Sequence, residues 1–314
     1  MDITCHEFHQ LSGKPNRSGR KLLYRVEAHS FLEIPPLVVQ VTNLHCGGMI
    51  LCTTINHCIC DGLGTSQFLH TWSHVITKAK LDFTLFHSRH VLKPRDPPQI
   101  THTHLDYTKT TLEDNPTHVD VNQYLQSQPL VPTSFTFTSA HVLRLKRQCS
   151  PSLKCTTFEA LASHTWRSWV RSLDLSPPSL KVKLLFSVNF RKKLIPALPQ
   201  GYYGNGFVLA CTETAVKDLV TGNLHHGIKL IQEAKSSLID GNVRSMIDLL
   251  EDKNVKTDTC SSLVISQWAK LGLEDLDFGE GKALHMGPLT SDIYCLFLPV
   301  VGNFDAIQKF ENGI

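Results

Sequence analysis

Hydrophobic and polar positions alternate with more than one period along this chain, which predicts both strands and helices. Two β-rich apolar runs, residues 37–41 and 49–55, flank a turn-like segment at 43–48 that contains two glycines. This pattern predicts a β-hairpin. The apolar side chains that follow recur at helical spacing, so a helix is predicted there, and Thr65 or Ser66 is placed to cap its start.

The second half of the chain has the same mixture of periods. Apolar runs of β-forming residues predict strands at 134–138, 182–188, 207–211, 262–266 and 293–298. Helical spacing predicts a short helix with Leu143 and Leu145 and longer helices at 158–173, 224–239 and 243–252. A capping box, Thr156-Thr157-Phe158-Glu159, marks the start of the first long helix. Strands and helices mixed along the chain predict an α/β protein.

A polar stretch separates the two α/β regions. Residues 94–132 contain six prolines and many threonines and histidines, with little periodicity. This composition predicts a connection or crossover between two domains. A chain of 314 residues is long enough for two packed domains.

Composition and charge exclude several classes of protein. Hydrophobic residues make up 41% and charged residues 19%, as in ordinary globular proteins. A net charge of +3 is too small for nucleic-acid binding by charge. No apolar run reaches the roughly 18 residues needed to cross a bilayer, and the N-terminus lacks the apolar region of a secretory signal. We therefore expect a cytoplasmic protein without a transmembrane segment and without a nucleic-acid partner.

Ten cysteines and the pair His70 and His74 raise the possibility of a disulfide framework or a metal site. The chain has no Cys-x-x-Cys pair, and reduced, mostly buried thiols are expected in a chain of this size. The two histidines have a spacing that can bind zinc on a helix, but no glutamate follows His70 and no third ligand is evident. We expect no bound metal.

Two His-x-x-x-Asp patterns are candidates for acid–base chemistry, because a neutral imidazole can take a proton from a hydroxyl or an amine. With 17 histidines, roughly one such match is expected by chance, so the context has to decide. His57 and Asp61 lie where the second strand of the predicted hairpin ends in a glycine-rich turn, a place from which a side chain can face a cleft. His102 and Asp106 follow a proline-rich loop, and we interpret them as part of a solvated segment.

Four stretches occur in an order and spacing that resemble the plant BAHD acyl-CoA-dependent acyltransferases over nearly the whole chain. They are residues 57–62, similar to the family's HxxxDG; 156–167; 188–191 followed by 196–205; and 277–281, similar to DFGWG. Each stretch is weak evidence alone. Their combination identifies the chain as a member of the family.

The resemblance implies an α/β, two-domain chloramphenicol-acetyltransferase-like fold with mixed sheets and helices. Residues 1–120 would form an incomplete N-terminal domain with the HxxxD motif and the crossover loop. Residues 121–314 would form the C-terminal domain with a CoA-side loop and a DFGEG motif. The acyl-CoA and the acceptor would enter a tunnel between the domains from opposite faces.

The resemblance also implies the reaction, in which an acyl group moves from an acyl-CoA thioester to an alcohol or amine in a ternary complex. His57 would be the general base, since an alcohol is a poor nucleophile until a positioned base removes its proton. Coenzyme A leaves as a thiolate, so no covalent enzyme intermediate is needed. Acyl-CoA is then a co-substrate, no cofactor is bound, and the protein is expected to be a monomer.

Particular residues follow from the family's motifs. Asp61, the second member of the catalytic motif, would hold the loop with Gly62 rather than take part in the chemistry. Asp277 and Gly279 of the DFGEG motif are expected to be structural, and Arg191 is the expected ion-pair partner of Asp277. Contacts with CoA are expected from two further residues: Ser187 and Asn205.

Two departures from the family pattern affect this interpretation. Glu280 replaces the tryptophan of DFGWG. This change removes a large ring, and the fold is expected to tolerate its loss. The HxxxD motif begins much closer to the start of the chain than in the family, and the end is also short relative to the family pattern, so we expect a partial chain. The alternative function is therefore an inactive, truncated family member or a binding protein. The donor, the acceptor and the choice between O- and N-acylation stay open.

Overall fold

The computed structural model describes residues 4, 22–24, 26–30, 33–80, 84–109, 121, 131–149, 153–288, 295–300 and 303–313. The strands in these ranges are β1 (Leu37–Asn43), β2 (Met49–Ile55), β3 (Tyr107–Lys109), β4 (Val131–Phe137), β5 (Lys181–Asn189), β6 (Phe207–Ala215), β7 (Val255–Thr257), β8 (Ser262–Gln267), β9 (Cys295–Val300) and β10 (Asn303–Gly313). The helices are α1 (Gly62–Thr77), α2 (Ser139–Arg147), α3 (Thr157–Ser172), α4 (Val216–Thr221), α5 (Leu224–Ser237) and α6 (Asp240–Leu249).

A six-stranded mixed sheet forms the centre of the C-terminal half, with the strand order β4-β10-β9-β8-β5-β6. The neighbours β5 and β6 are antiparallel, whereas β8 runs parallel to both β5 and β9. Leu184, Leu185 and Phe186 of β5 are fully buried, as expected for a central strand with both faces covered. Full burial of such side chains contributes about 1.5–3 kcal/mol each to stability.

Helix α3 packs against α5 and β8 and forms part of the main hydrophobic core. The predicted capping box is confirmed: Thr156 Oγ1 accepts from the Glu159 amide, and Glu159 accepts from the Thr156 amide in return. Glu159 is buried and also pairs with Lys235 of α5. One side chain thus starts α3 and ties it to α5.

The predicted hairpin is also confirmed, as a separate two-stranded antiparallel sheet of β1 and β2. Its register runs from the Leu37–Ile55 pair to the Asn43–Met49 pair. The turn is closed by a 2.8 Å hydrogen bond from the Leu44 amide to the Gly48 carbonyl. The end of β2 therefore delivers the chain to the HxxxD motif.

Helix α1 begins earlier than the sequence predicted. Asp61 is its N-cap and accepts a hydrogen bond from the Gly64 amide, so Thr65 and Ser66 lie inside the helix. The prediction that one of them caps the helix is wrong, because the aspartate of the motif takes that role. Gly62 is simply the first helical residue.

A polar stripe on α1 holds the DFGEG region of the chain. Ser66 Oγ donates to the Leu271 carbonyl, and the His70 ring lies 2.9 Å from the Gly272 carbonyl oxygen. Ser73 Oγ donates to the carbonyl of Asp277. The three side chains are spaced by four and three residues, so they share one face of the helix.

The described part of the predicted crossover packs on the C-terminal half. Strand β3 pairs with β7, and Asp248 of α6 accepts hydrogen bonds from the Arg95 and Gln99 amides. The other predicted helices and strands occur with small shifts of their ends. The predicted division between residues 120 and 121 adjoins residues 110–120 and 122–130, which lie outside the described residues.

The interpretation of His102 to Asp106 as a solvated segment is wrong for His104 and Asp106, whereas Thr103 and Leu105 are exposed. Asp106 is only 6% exposed, and the ring of His104 lies 3.0 Å from Ser245 Oγ. Burial raises the pKa of Asp106 to about 6 and lowers the pKa of His104. The pairing of β3 with β7 in a separate two-stranded sheet brings this segment against the C-terminal half of the chain, a contact that local polarity does not reveal.

Within the described ranges, no helix combines the length and the apolar character that a bilayer crossing requires.

Candidate active site

The HxxxD motif lies on a short loop between β2 and α1, and Asn56 organises it. Asn56 Oδ1 accepts a 3.1 Å hydrogen bond from the Cys58 amide, and the Asn56 carbonyl accepts one from the Ile59 amide at 2.9 Å. Asn56 itself is buried, and its amide donates to the Pro36 carbonyl. The loop is therefore a hydrogen-bonded turn anchored to the hairpin.

His57 projects from this turn with an exposed side chain. Its ring packs edge to face against the Phe207 ring, with 5.8 Å between the ring centroids and 63° between the ring planes. Phe207 is the first residue of β6. The candidate base thus comes from the N-terminal half of the chain and packs against the C-terminal half.

The carboxylate of Asp61 is buried and accepts four hydrogen bonds. Its Oδ1 accepts from the Gly64 amide at 2.8 Å and from Arg191 Nη2 at 2.9 Å. Its Oδ2 accepts from Arg191 Nη1 at 2.8 Å and from the Gly206 amide at 2.9 Å. A carboxylate has about four lone-pair sites, so this side chain is fully used in holding the loop.

Arg191 is buried as well, and two more of its donors bond the loop that precedes β6. Nε donates to the Tyr202 carbonyl at 3.1 Å, and Nη2 donates to the Gly204 carbonyl at 2.7 Å. The guanidinium also lies 5.7 Å from the centre of the Tyr202 ring. The predicted pair of Arg191 with Asp277 is wrong, because the folded chain places Arg191 beside Asp61 instead.

Two glycines allow the halves of the chain to approach closely here. A Cβ on Gly64 would lie 1.9 Å from the Tyr203 carbonyl oxygen, and one on Gly206 would lie 2.6 Å from Cζ of Arg191. Neither residue has a left-handed backbone conformation. Their small size, rather than the conformational freedom expected of a sharp turn, is what the structure uses.

Two further side chains hold the motif loop by its main-chain carbonyls. Asn205 Nδ2 donates to the His57 carbonyl at 2.8 Å. Arg89 Nη2 donates to the Ile59 carbonyl, and its guanidinium lies 5.1 Å from the centre of the Tyr203 ring. Sequence reasoning missed Arg89, because nothing local indicates that a residue after α1 reaches back to the motif.

Ser187 lies near the C-terminal end of β5 and is partly buried, opposite Leu209 of β6. Its predicted contact with CoA stays a prediction. Asn205 Nδ2 donates to the His57 carbonyl and Oδ1 is buried, and the predicted contact of this residue with CoA also stays a prediction.

The DFGEG motif forms a compact turn of its own. Asp277 Oδ1 accepts from the Gly279 amide at 2.7 Å and from the Gly281 amide at 3.0 Å. Both glycines have positive φ, +100° and +93°, which favours glycine there. Phe278 packs on Trp72 of α1. Glu280 is exposed between the glycines, so its replacement of tryptophan buries no charge.

No three histidine, cysteine, aspartate or glutamate side chains come together as a metal site in the part of the chain that the structure describes. The ring of His70 is engaged with the Gly272 carbonyl. None of the nine cysteines in the described ranges forms a disulfide. The polar groups that converge on the His57 loop are therefore the chemically informative cluster.

Comparison with known proteins identifies the family. The sequence model of the Transferase family, which comprises the BAHD acyltransferases, matches residues 1–300. The chain belongs to the BAHD family. The BAHD chain is 34% identical over 282 residues to the omega-hydroxypalmitate O-feruloyl transferase of Arabidopsis thaliana, an alignment that covers 88% of this chain and 60% of that relative.

Other curated relatives have similar identity. The fatty alcohol:caffeoyl-CoA acyltransferase of Arabidopsis thaliana is 35% identical, with 89% of this chain and 64% of the relative covered. The benzyl alcohol O-benzoyltransferase of Petunia hybrida is 32% identical over 326 residues, with 100% and 67% covered. The BAHD chain therefore spans from 60% to 67% of the length of these relatives.

Solved structures show the same fold at lower identity. Vinorine synthase superposes with a TM-score of 0.67 at 18% identity, covering 92% of this chain and 64% of that one. The F. sporotrichioides TRI101 complex with coenzyme A and T-2 superposes with a TM-score of 0.69 at 18% identity, covering 88% and 66%. The predicted chloramphenicol-acetyltransferase-like α/β fold is confirmed.

Proposed function

We propose that this BAHD chain carries the catalytic motif of an acyltransferase that moves an acyl group from an acyl-CoA to an alcohol or amine. His57 is the general base, and both substrates are bound when the acyl group moves. The observation that carries the proposal is the exposed His57 side chain on a loop whose other groups are fixed from the C-terminal half of the chain.

The reaction requires that the loop hold His57 in place and that its imidazole ring stay accessible to the substrates. His57 takes the proton of the acceptor hydroxyl as its oxygen attacks the thioester carbonyl, so a C–O bond forms and a tetrahedral oxyanion develops. When this intermediate collapses, the C–S bond breaks and the thiolate of CoA leaves. The thiolate takes up the proton from the imidazolium, which restores the base.

The surrounding residues support this assignment of roles. The carboxylate of Asp61 is occupied by Arg191 and by two backbone amides, so Asp61 is assigned a structural role. Asp277 and Gly279 are assigned a structural role in the DFGEG turn that packs on α1. Gly62 is assigned a structural role as the first residue of α1. Ser187 and Asn205 are proposed contacts for CoA.

The relatives suggest which substrates to test first. The two Arabidopsis thaliana relatives are named for a feruloyl and a caffeoyl-CoA donor and for omega-hydroxypalmitate and fatty alcohol acceptors. We propose hydroxycinnamoyl-CoA thioesters with long-chain primary alcohols as the first assay pair, and benzoyl-CoA with benzyl alcohol as the second. We further propose that the protein is cytoplasmic and monomeric and that its domains divide near residue 120. Size-exclusion chromatography tests the monomer, and limited proteolysis tests the domain division.

The decisive experiment compares His57→Ala with His102→Ala. Both remove the histidine of a His-x-x-x-Asp pattern, but only the first lies on the loop next to β6. CoA release with a matched donor and acceptor should fall on the order of 10²–10⁴-fold in His57→Ala and change little in His102→Ala. Full turnover by a folded His57→Ala protein would refute the base assignment.

A second candidate function is binding without turnover, and the β1–β2 hairpin favours it. Val39, Val41 and Met49 lie on one face of this sheet and are 40%, 55% and 45% exposed, and adjoining exposed apolar side chains mark interaction sites. Calorimetric titration with acyl-CoA separates the candidates. The binding function is supported if the chain binds acyl-CoA, shows no turnover with any acceptor, and keeps the same affinity for acyl-CoA in His57→Ala.

A further inference from the structure

Asn205 and Asn56 hold the two ends of one peptide unit beside the candidate base. The unit joins His57 to Cys58. Its carbonyl oxygen accepts from Asn205 Nδ2 at 2.8 Å, and its N–H donates to Asn56 Oδ1 at 3.1 Å. A peptide unit is planar, so two bonds at opposite ends fix its orientation. That orientation sets the ψ torsion of His57, the rotation about its Cα–C bond.

Asn205 is itself held by the buried ion pair of the motif. Arg191 donates to the carbonyl of the preceding residue, Gly204, and Asp61 accepts from the amide of the following residue, Gly206. The backbone on both sides of Asn205 is thus tied to the same two charged groups. A continuous set of hydrogen bonds runs from Asp61 and Arg191 through Asn205 to the carbonyl of His57.

The orientation of the Asn205 amide follows from its partner. A carbonyl oxygen only accepts hydrogen bonds, so the amide nitrogen of Asn205 must face it. The other atom, Oδ1, is buried and has no hydrogen-bond partner among the described residues. The side chain therefore makes its bond to His57 while its own acceptor stays unsatisfied, which argues that this bond is the reason for an asparagine at this position.

We propose that Asn205 is a positioning residue for His57: it fixes the direction of the imidazole by holding the carbonyl of the same residue. This inference rests on the proposed function for its catalytic consequence. It is distinct from the proposed CoA contact of Asn205, whose loss would raise KM for the acyl-CoA. A misplaced catalytic group costs rate rather than affinity, because ground-state binding does not depend on the base.

The test uses Asn205→Asp, which keeps the shape of the side chain but removes its donor. With a primary alcohol acceptor, kcat should fall about 10- to 100-fold, while KM for the alcohol changes by less than about 3-fold. A fluorinated alcohol has a more acidic hydroxyl and needs less help from a base, so its kcat should fall distinctly less. Asn223→Asp is the matched control, because Asn223 is exposed at the start of α5 and its side chain makes no capping bond.

Hydrogen exchange provides a readout that does not depend on activity. Exchange of the Cys58 and Ile59 amides should accelerate in Asn205→Asp and stay unchanged in Asn223→Asp, at the same melting temperature. Unchanged exchange and an unchanged kcat would overturn the inference. An equal loss with both alcohols, together with a raised KM for the alcohol or a lowered melting temperature, would also overturn it by showing a merely structural role.

The two proposals fail in different ways. If the wild-type chain has no turnover, or if His57→Ala keeps full turnover, the proposed function fails while hydrogen exchange still tests whether Asn205 holds the loop. If turnover depends on His57 and both Asn205→Asp and Asn223→Asp behave like the wild type, only the positioning role of Asn205 fails.

Discussion

Arg191 donates two parallel hydrogen bonds to the carboxylate of Asp61 across 130 residues of sequence, and both side chains are buried. The pair joins the helix that follows the HxxxD loop to the strand-end loop before β6. Because both charges are also bonded to backbone groups, neither is left uncompensated. The position of the candidate base depends on this contact between the halves of the chain.

Removal of Arg191 should strongly destabilise the protein. Arg191→Ala leaves the Asp61 carboxylate buried without its counter-charge, and we expect the free energy of unfolding to fall by about 3–5 kcal/mol. Arg191→Lys keeps the charge but cannot form two parallel bonds, so its loss should be smaller. Urea unfolding followed by circular dichroism measures both effects.

An exposed ion pair provides the control for Arg191. Lys229 and Glu233 of α5 are 64% and 60% exposed and 3.8 Å apart, a geometry that contributes little. Lys229→Ala should therefore leave the unfolding midpoint nearly unchanged. A loss as large as that of Arg191→Ala would contradict the importance assigned to the buried pair.

Gly64→Ala should destabilise the protein although alanine favours helices. A new Cβ would lie 1.9 Å from the Tyr203 carbonyl oxygen, so the loop before β6 must move, at a cost of about 1–3 kcal/mol or more. Gly62→Ala is the matched change in the same turn of α1, where the nearest atom is the flexible end of Leu271 at 2.9 Å. Thermal melts should show a clearly larger loss for Gly64→Ala, and the opposite order would disprove the close-approach argument.

The polar stripe of α1 should control the dynamics of the DFGEG turn. Ser66→Ala and Ser73→Ala each remove a hydrogen bond from α1 to a main-chain carbonyl, of Leu271 and of Asp277 respectively. We expect each loss to lower the free energy of unfolding by about 1 kcal/mol. Hydrogen exchange over residues 271–281 should accelerate in both variants. Thr71→Ala should not change it, since the one bond of Thr71 Oγ1 among the described residues is to the Gln67 carbonyl of its own helix.

Asp106 should make the protein less stable as the pH rises. Burial, only partly offset by Lys183, raises the pKa of Asp106 to about 6 in the folded protein, whereas the unfolded chain ionises it near pH 4. Stability is therefore lost between about pH 4 and about pH 6 and stays lower above that range. Asp106→Asn should raise the free energy of unfolding by about 1–3 kcal/mol near pH 7 and have little effect near pH 4.

Asp248 should have the opposite pH dependence. Burial alone raises the pKa of Asp248, but hydrogen bonds from the Arg95 and Gln99 amides and from the Arg95 guanidinium outweigh it and lower the pKa. The stability that Asp248 contributes is present above its unfolded pKa near 4 and is lost as the pH falls through the folded value. Unfolding curves of Asp248→Asn should lie below the wild type at neutral pH and converge with it in acid; a constant gap would contradict this linkage.

The sequence by itself determined the elements whose causes are local. The capping box at Thr156 and Glu159, the turn between β1 and β2, and the apolar run of β5 all depend on residues within a few positions of one another. The motif stretches also determined the family and directed attention to His57. Such features survive in the sequence because helix caps, turns and strand periodicity are set by neighbouring residues.

Only the tertiary structure decided which distant groups meet. The expected partner of Arg191 was Asp277, but the fold brings Asp61 to it, while Asp277 closes its own turn. Asp106 looked solvated and is buried, and Asn205 holds the carbonyl of His57. These outcomes depend on which loops the mixed sheet and α1 bring into contact, and hydrogen bonds between loops leave no periodic signal in the sequence around either partner.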